Sequence, residues 1–105
     1  MELVVKKEIQ GRKIILSLKG ILDISTTNMI TAQFEKIGDI DLLIFDLQEL
    51  DFIDSTGIGS IIEAIYFARE KNFMIKLQGV NELTDQVFET VGLYELLKAF
   101  QEEAV

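Results

Sequence analysis

The sequence predicts an α/β domain, a mixed sheet of four to five strands packed with four helices in the order β-β-(β)-α-β-α-β-α-α. Three observations carry that prediction. Two short β-rich runs, "LVVKKEI" and "KIILSLKG", flank a glycine at the N-terminus. "DLLIFDL" is a continuous apolar run, the pattern of a central strand covered on both faces. The later segments alternate strand-like runs with apolar stripes at helical spacing, which implies right-handed parallel crossovers.

Each element follows from its residues. Ile14, Leu16 and Leu18 alternate as in a strand with one buried face, and Gly11 suits a tight turn, so the first two runs read as a hairpin. Gly20 breaks the second run, and "ILDI" follows as a short extended piece. Ser25 or Thr26 caps a first helix through a side-chain oxygen. Ile30, Phe34 and Ile37 give it an apolar face, and Gly38 ends it. A strand then ends near Leu47, and a helix starting near Thr56 carries Ile58, Ile61, Ile62, Ile65 and Ala68. Asn72 closes that helix, and "FMIKLQ" is the next strand, with Phe73, Ile75 and Leu77 on one face. Asn81 caps a third helix with Leu83, Val87, Phe88 and Val91, stopped at Gly92. A fourth carries Leu93, Leu96, Leu97, Phe100 and Ala104, and reads as a lid over the sheet.

Composition narrows the function. The 105 residues suit one domain spanning 1–105. An apolar share of 49% suffices for a core, and the charges are mixed in sign, so the chain folds rather than stays disordered. A net charge of -8 argues against a nucleic-acid groove, which needs clustered Lys and Arg. There is no Cys and no His, which removes thiolate chemistry, the commonest general base and the commonest metal ligand. Charges interrupt "MELVVKKEIQ", so it is no signal peptide, and no apolar run is long enough for a membrane span. Cytoplasm is the simplest location.

The informative stretch is "LDFIDSTGIGS", Leu50 to Ser60. It lies between a strand and a helix, at the carboxyl edge where parallel sheets place their sites. One reading is a cap: Asp54 or Ser55 accepts from the first-turn N–H groups, a contribution of ~1 kcal/mol. That reading needs neither the tandem Ser55-Thr56 nor Gly57 and Gly59, each of which costs ~1 kcal/mol against Ala in a helix. Those glycines make sense where something approaches the helix end closely or where neighbouring backbone packs tightly. A phosphate on Ser55 would meet free N–H groups and the positive end of the helix dipole, adding about -1.5 to -2 charges beside Asp54, Asp51 and Asp23. A P-loop lysine and a G-x-S-x-G elbow are absent. Asp51 and Asp54 are spaced to share a cation, but a lone acidic pair is more often turn chemistry than a metal site.

The chain resembles a STAS domain of the anti-sigma factor antagonist family along essentially its whole length. "LKGILDIST" resembles that family's Gly-x-Leu-Asp stretch. "LLIFDLQELDFIDSTGIGSIIEA" resembles its core signature, an apolar strand, a spacer, then Asp-Ser-Ser/Thr-Gly-Leu/Ile-Gly, and "FETVGLYELL" its C-terminal helix pair. The resemblance implies a regulatory switch without catalysis of its own. It places the phosphoacceptor at Ser55, with Thr56 as a second candidate because many relatives carry Ser there. It implies that the unphosphorylated form binds an anti-sigma factor with GHKL-type serine kinase activity and so frees a sigma factor. Phosphorylation would break the complex, and a metal-dependent serine phosphatase would reset it. No cofactor is implied, since ATP belongs to the partner kinase. A proline frequent in the family before the third helix is absent from "LQGVNELTD".

The partner-binding candidates are therefore Asp23, Asp54, Ser55, Thr56, Gly57, Ile58 and Gly59. Asp23 serves equally as a helix-start residue with Ser25. Asp46, inside the apolar strand, reads as a hydrogen-bonded structural carboxylate. Ile58, Ile61, Ile62 and Ile65 read as core, with only the first turn offered to a partner. Two other functions fit the same sequence: a STAS scaffold or transporter-associated module indifferent to phosphate, with Ser55 as a cap, and a small nucleotide-binding domain or enzyme.

Overall fold

The computed structural model describes residues 2–103. β1 (Leu3–Gln10) and β2 (Lys13–Leu22) form an antiparallel hairpin in which Gln10 faces Lys13, so Gly11 and Arg12 make the turn. β3 (Leu42–Ile53) lies parallel to β2, and β4 (Met74–Gln78) parallel to β3, giving the sheet order β1-β2-β3-β4. The helices are α1 (Thr27–Phe34), α2 (Ser55–Lys71), α3 (Glu82–Thr90) and α4 (Leu93–Glu103). The expected mixed α/β architecture is present, with four strands and four helices among the described residues.

Alternation decides the two faces of the sheet. Leu16 and Leu18 of β2 and Leu43, Phe45 and Leu47 of β3 are buried in one cluster. Ile30 of α1, Ile61 and Ile65 of α2, Phe88 of α3 and Leu93 of α4 join the same cluster, so every helix contributes to the layer on that face. Ile44 is buried but stands outside the cluster, as its position between Leu43 and Phe45 requires. Asp46 is half-buried and accepts a hydrogen bond from the Gln48 amide at 3.1 Å, the structural role expected of it.

The strand boundaries differ from the sequence expectation. The short piece "ILDI" is not a separate strand, because β2 runs through Gly20 to Leu22. Gly20 permits this: at φ 107 a Cβ would lie 2.3 Å from the Glu2 carbonyl oxygen. β3 does not stop near Leu47 but continues to Ile53. Its pairing with β2 shifts register twice, between Ser17 and Lys19 and between Gly20 and Ile21, and each shift adds a residue on β3. The bulges let the long strand stay paired while changing which way its side chains point.

Two helices also differ. α1 ends at Phe34, before Ile37 and Gly38, because the Lys36 and Ile37 amides bond to carbonyls only three residues back. Ile37 still packs against the core from the following loop. In α3 the buried pair is Thr84 and Phe88, while Leu83 is 73% exposed and Val91 is also exposed. Phe88 and Val87 of the predicted stripe do pack at the core, while Thr84 replaces Leu83 on the buried face. Asn81 caps α3 by accepting from the Thr84 amide at 2.8 Å, and Asn72 closes α2 in the left-handed conformation, both as expected. α4 packs on α2 and reaches β4 through Gln101, and Ala104 of its expected stripe lies outside the described residues.

α3 and α4 are joined by the Tyr94 hydroxyl, which donates to Asp85 Oδ1 at 2.6 Å. Burial, then the hydrogen bond and charge of Asp85, push the Tyr94 phenol up to about 12. A raised folded-state value means this contribution is complete below the unfolded phenol value of ~10 and is lost as pH rises toward 12. The melting temperature should therefore fall more steeply between those values in the wild type than in Tyr94→Phe. Parallel curves would show that the α3–α4 link does not titrate as described.

Candidate functional site

The site forms where β2 and β3 end side by side. Leu22 and Ile53 are register partners, and the Leu22 carbonyl accepts from the Asp54 amide at 3.2 Å. That bond holds the turn after β2 against the start of α2, so Asp23 and Asp54 occupy adjacent strand ends.

Asp54 is the helix cap. Its backbone is extended, its carboxylate accepts from the Gly57 amide at 2.8 Å, and its carbonyl accepts from the Ile58 amide at 2.9 Å. Ser55 and Thr56 are the first two residues of α2, and both are exposed. Neither hydroxyl has a hydrogen-bond partner among the described residues. Of the two capping candidates, the structure uses Asp54 and leaves Ser55 without a capping role. The Ser55 and Thr56 amides have no partner within the helix, so the exposed hydroxyl pair sits at the positive end of the dipole.

The two glycines behave differently. Gly57 is buried, and a Cβ on it would lie 2.4 Å from the Leu22 carbonyl oxygen and 2.8 Å from Ile53 Cγ1. It is a contact glycine that seats the helix start on the strand ends. A Cβ on Gly59 would meet nothing within 4 Å. Ile58 is buried in the core cluster, so its side chain faces the sheet rather than a partner.

Asp23 is tied to its own turn. Its Oδ1 accepts from the Ser25 amide at 2.9 Å and from the Ser25 hydroxyl at 2.6 Å. The Ser25 hydroxyl bond is the main reason its carboxyl lies below the usual value. Thr26 occupies the cap position of α1, but its side chain makes no capping bond. Its buried hydroxyl instead accepts from the Asp23 amide at 2.9 Å and donates to the Ile21 carbonyl at 2.9 Å. Ser25→Ala should raise the Asp23 titration midpoint in carboxyl-detected NMR. An unchanged midpoint would show that the hydroxyl does not hold that charge. Asp51 is exposed, and no group of three or more metal-ligating side chains occurs among the described residues.

Two large apolar residues close in the chain to Asp23 and Asp54 are exposed. Phe52 is 54% exposed and Ile24 77% exposed. Ile24 follows Asp23, and Phe52 lies two residues before Asp54. Phe52 pairs with Ile21, next to the pair of buried Leu22 and half-buried Ile53, which packs against the core, so alternation turns Phe52 away from the helical layer. Sequence reasoning missed both. An isolated apolar residue in "DFID" or "LDIST" carries no periodicity that separates a core position from an exposed one.

The STAS domain family model matches residues 3–105. An anti-sigma F factor antagonist of Paenibacillus polymyxa is 24% identical over 106 aligned positions, covering 98% of this chain and 91% of the relative. The structure of the Bacillus cell fate determinant SpoIIAA in its phosphorylated form superposes with a TM-score of 0.73 at 22% identity, over 89% of this chain and 87% of that one. A sulfate transporter family protein from Wolinella succinogenes superposes with a TM-score of 0.77 at 17% identity, over 87% and 75%.

Proposed function

The chain belongs to the STAS domain family, and on that premise we propose that it is an anti-sigma factor antagonist switched by phosphorylation of Ser55. Unphosphorylated, it binds an anti-sigma factor bearing a GHKL-type serine kinase and so releases a sigma factor. The kinase supplies ATP and transfers its phosphoryl group to the Ser55 hydroxyl, and a metal-dependent serine phosphatase removes it. The chain itself catalyses nothing, needs no cofactor and works in the cytoplasm. No helix among the described residues is long and apolar enough to cross a membrane.

The observation that carries this reading is the division of labour at the start of α2. Asp54 already caps the helix, so the exposed Ser55 hydroxyl has no structural task. A relative with the same fold exists in a phosphorylated form, which supports the same reading. A dianion on Ser55 would stand beside the Asp54 carboxylate on a surface that includes Phe52 and Ile24. A partner packed there would have to desolvate about -1.5 to -2 added charges, which is costly without a matching cation. The likeness to the sulfate transporter protein shows the fold alone, and nothing in the site geometry favours that use.

Three baits test the proposal in lysate from the native source: wild type, Ser55→Ala and Ser55→Asp. We expect Ser55→Ala to capture a GHKL-type kinase and Ser55→Asp, equally folded, to lose it. Capture of one non-kinase partner by all three would overturn it.

A further inference from the structure

The sheet has a second face. All four helices join the cluster built on Leu16, Leu18, Leu43 and Phe45, so among the described residues no helix packs on the side to which Ile15 and Ile44 point. The strand registers lay that side out in rows. One row, from β1 to β4, reads Glu8, Ile15, Ile44, Lys76. The next reads Lys6, Ser17, Asp46, Gln78, and Lys19 faces Glu49 in the one after. Apolar groups hold the middle: Ile44 is buried, Ile15 and Leu42 are half-buried, and Met74 is exposed at the edge.

Lysines and carboxylates interleave around that apolar centre, although the chain carries a net charge of -8. Two copies of so acidic a chain repel each other, and a face of mixed sign is where they approach at least cost. The pattern is also self-complementary. A half-turn about an axis along the strands, between β2 and β3, lays β1 over β4 and β2 over β3, row on row. Glu8 then meets Lys76 of the second copy, Ile15 meets Ile44, Ser17 meets Asp46 and Lys19 meets Glu49, each pair occurring twice. No like charges oppose each other in these rows. Within one copy Lys19 already pairs with Glu49 at 3.8 Å, and the second copy closes that pair into a ring of alternating sign. Glu8 accepts from the Gln10 side chain and Asp46 from the Gln48 amide, so both carboxylates keep a partner within their own copy.

We infer that two copies of this chain pack through this face as an aligned sandwich with a two-fold axis along the strands. Four strands about 4.8 Å apart over four rows cover about 500 Å² a side, less than the ~800 Å² of a standard stable interface. The dimer is therefore weak, with a Kd on the order of 100 μM. The rows end before Ile21 and Phe52, so the dimer leaves the Ser55 end of the sheet open and does not rest on the switch proposed above.

The test is sedimentation equilibrium of the full chain up to about 1 mM, with Glu8→Lys and Lys76→Glu as charge-reversal variants. Both positions are exposed, so both variants should fold, which circular dichroism checks. The wild type should pass from monomer to dimer and no further. Each variant alone sets like charges against each other twice and should dimerise about tenfold more weakly. An equimolar mixture of the two restores opposite charges at both contacts and should dimerise as well as the wild type. Three results would each overturn the inference: a wild type that stays monomeric, single variants that dimerise like the wild type, or a mixture no tighter than its components.

Discussion

Gly57→Ala is expected to destabilise the protein by about 3 kcal/mol, the upper end of overpacking costs. The new methyl group would stand 2.4 Å from the Leu22 carbonyl oxygen and 2.8 Å from Ile53 Cγ1. The first of these is backbone, fixed by the β2–β3 pairing and by its bond to the Asp54 amide, and cannot swing aside. Relief requires α2 to lift from the strand ends, which would also displace the Asp54 cap and Ser55. Gly59→Ala, two residues on, meets open space and should stabilise the helix by up to ~1 kcal/mol. Urea unfolding of the two variants checks this. The description of the helix seat fails if both midpoints move in the same direction.

Phe52→Ala should weaken binding of the captured anti-sigma factor about 30-fold, ~2 kcal/mol, the cost typical of an aromatic anchor. Its stability should stay within ~0.5 kcal/mol of wild type, because the ring is 54% exposed and outside the core cluster. Ile24→Ala should act in the same direction and less strongly. Titration calorimetry with the purified partner separates this from the phosphate switch. If Ser55→Asp abolishes binding while Phe52→Ala leaves it unchanged, Ser55 remains the switch and the apolar flank is not part of the interface.

The residues that build these predictions were unequally legible in the sequence. "DSTG" marked the site because tandem hydroxyls and glycines at a strand-to-helix junction are expensive in a helix and unnecessary for a cap. It could not say which of Asp54 and Ser55 does the capping, since either oxygen reaches the first-turn amides. Gly57 and Gly59 looked alike for the same reason: their cost in a helix is local, while their use depends on what stands opposite. The boundary of β3 was misplaced because "QELDFI" mixes polar and apolar residues. Bulges reset the alternation there, and a bulge is a property of two paired strands, not of one.

The sequence by itself determined the α/β class, the four helices among the described residues, the cap at Asn81 and the stop at Asn72. All of these follow from period, capping chemistry and chain order, which act over a few residues. The tertiary structure decided the rest: that β2 passes through Gly20, that α3 buries Thr84 rather than Leu83, that Ile58 faces the core, and that Phe52 and Ile24 are exposed. Those facts depend on which surfaces meet across the β2–β3 pairing and under the helices. Packing of that kind joins residues far apart in the chain, and no local pattern records it.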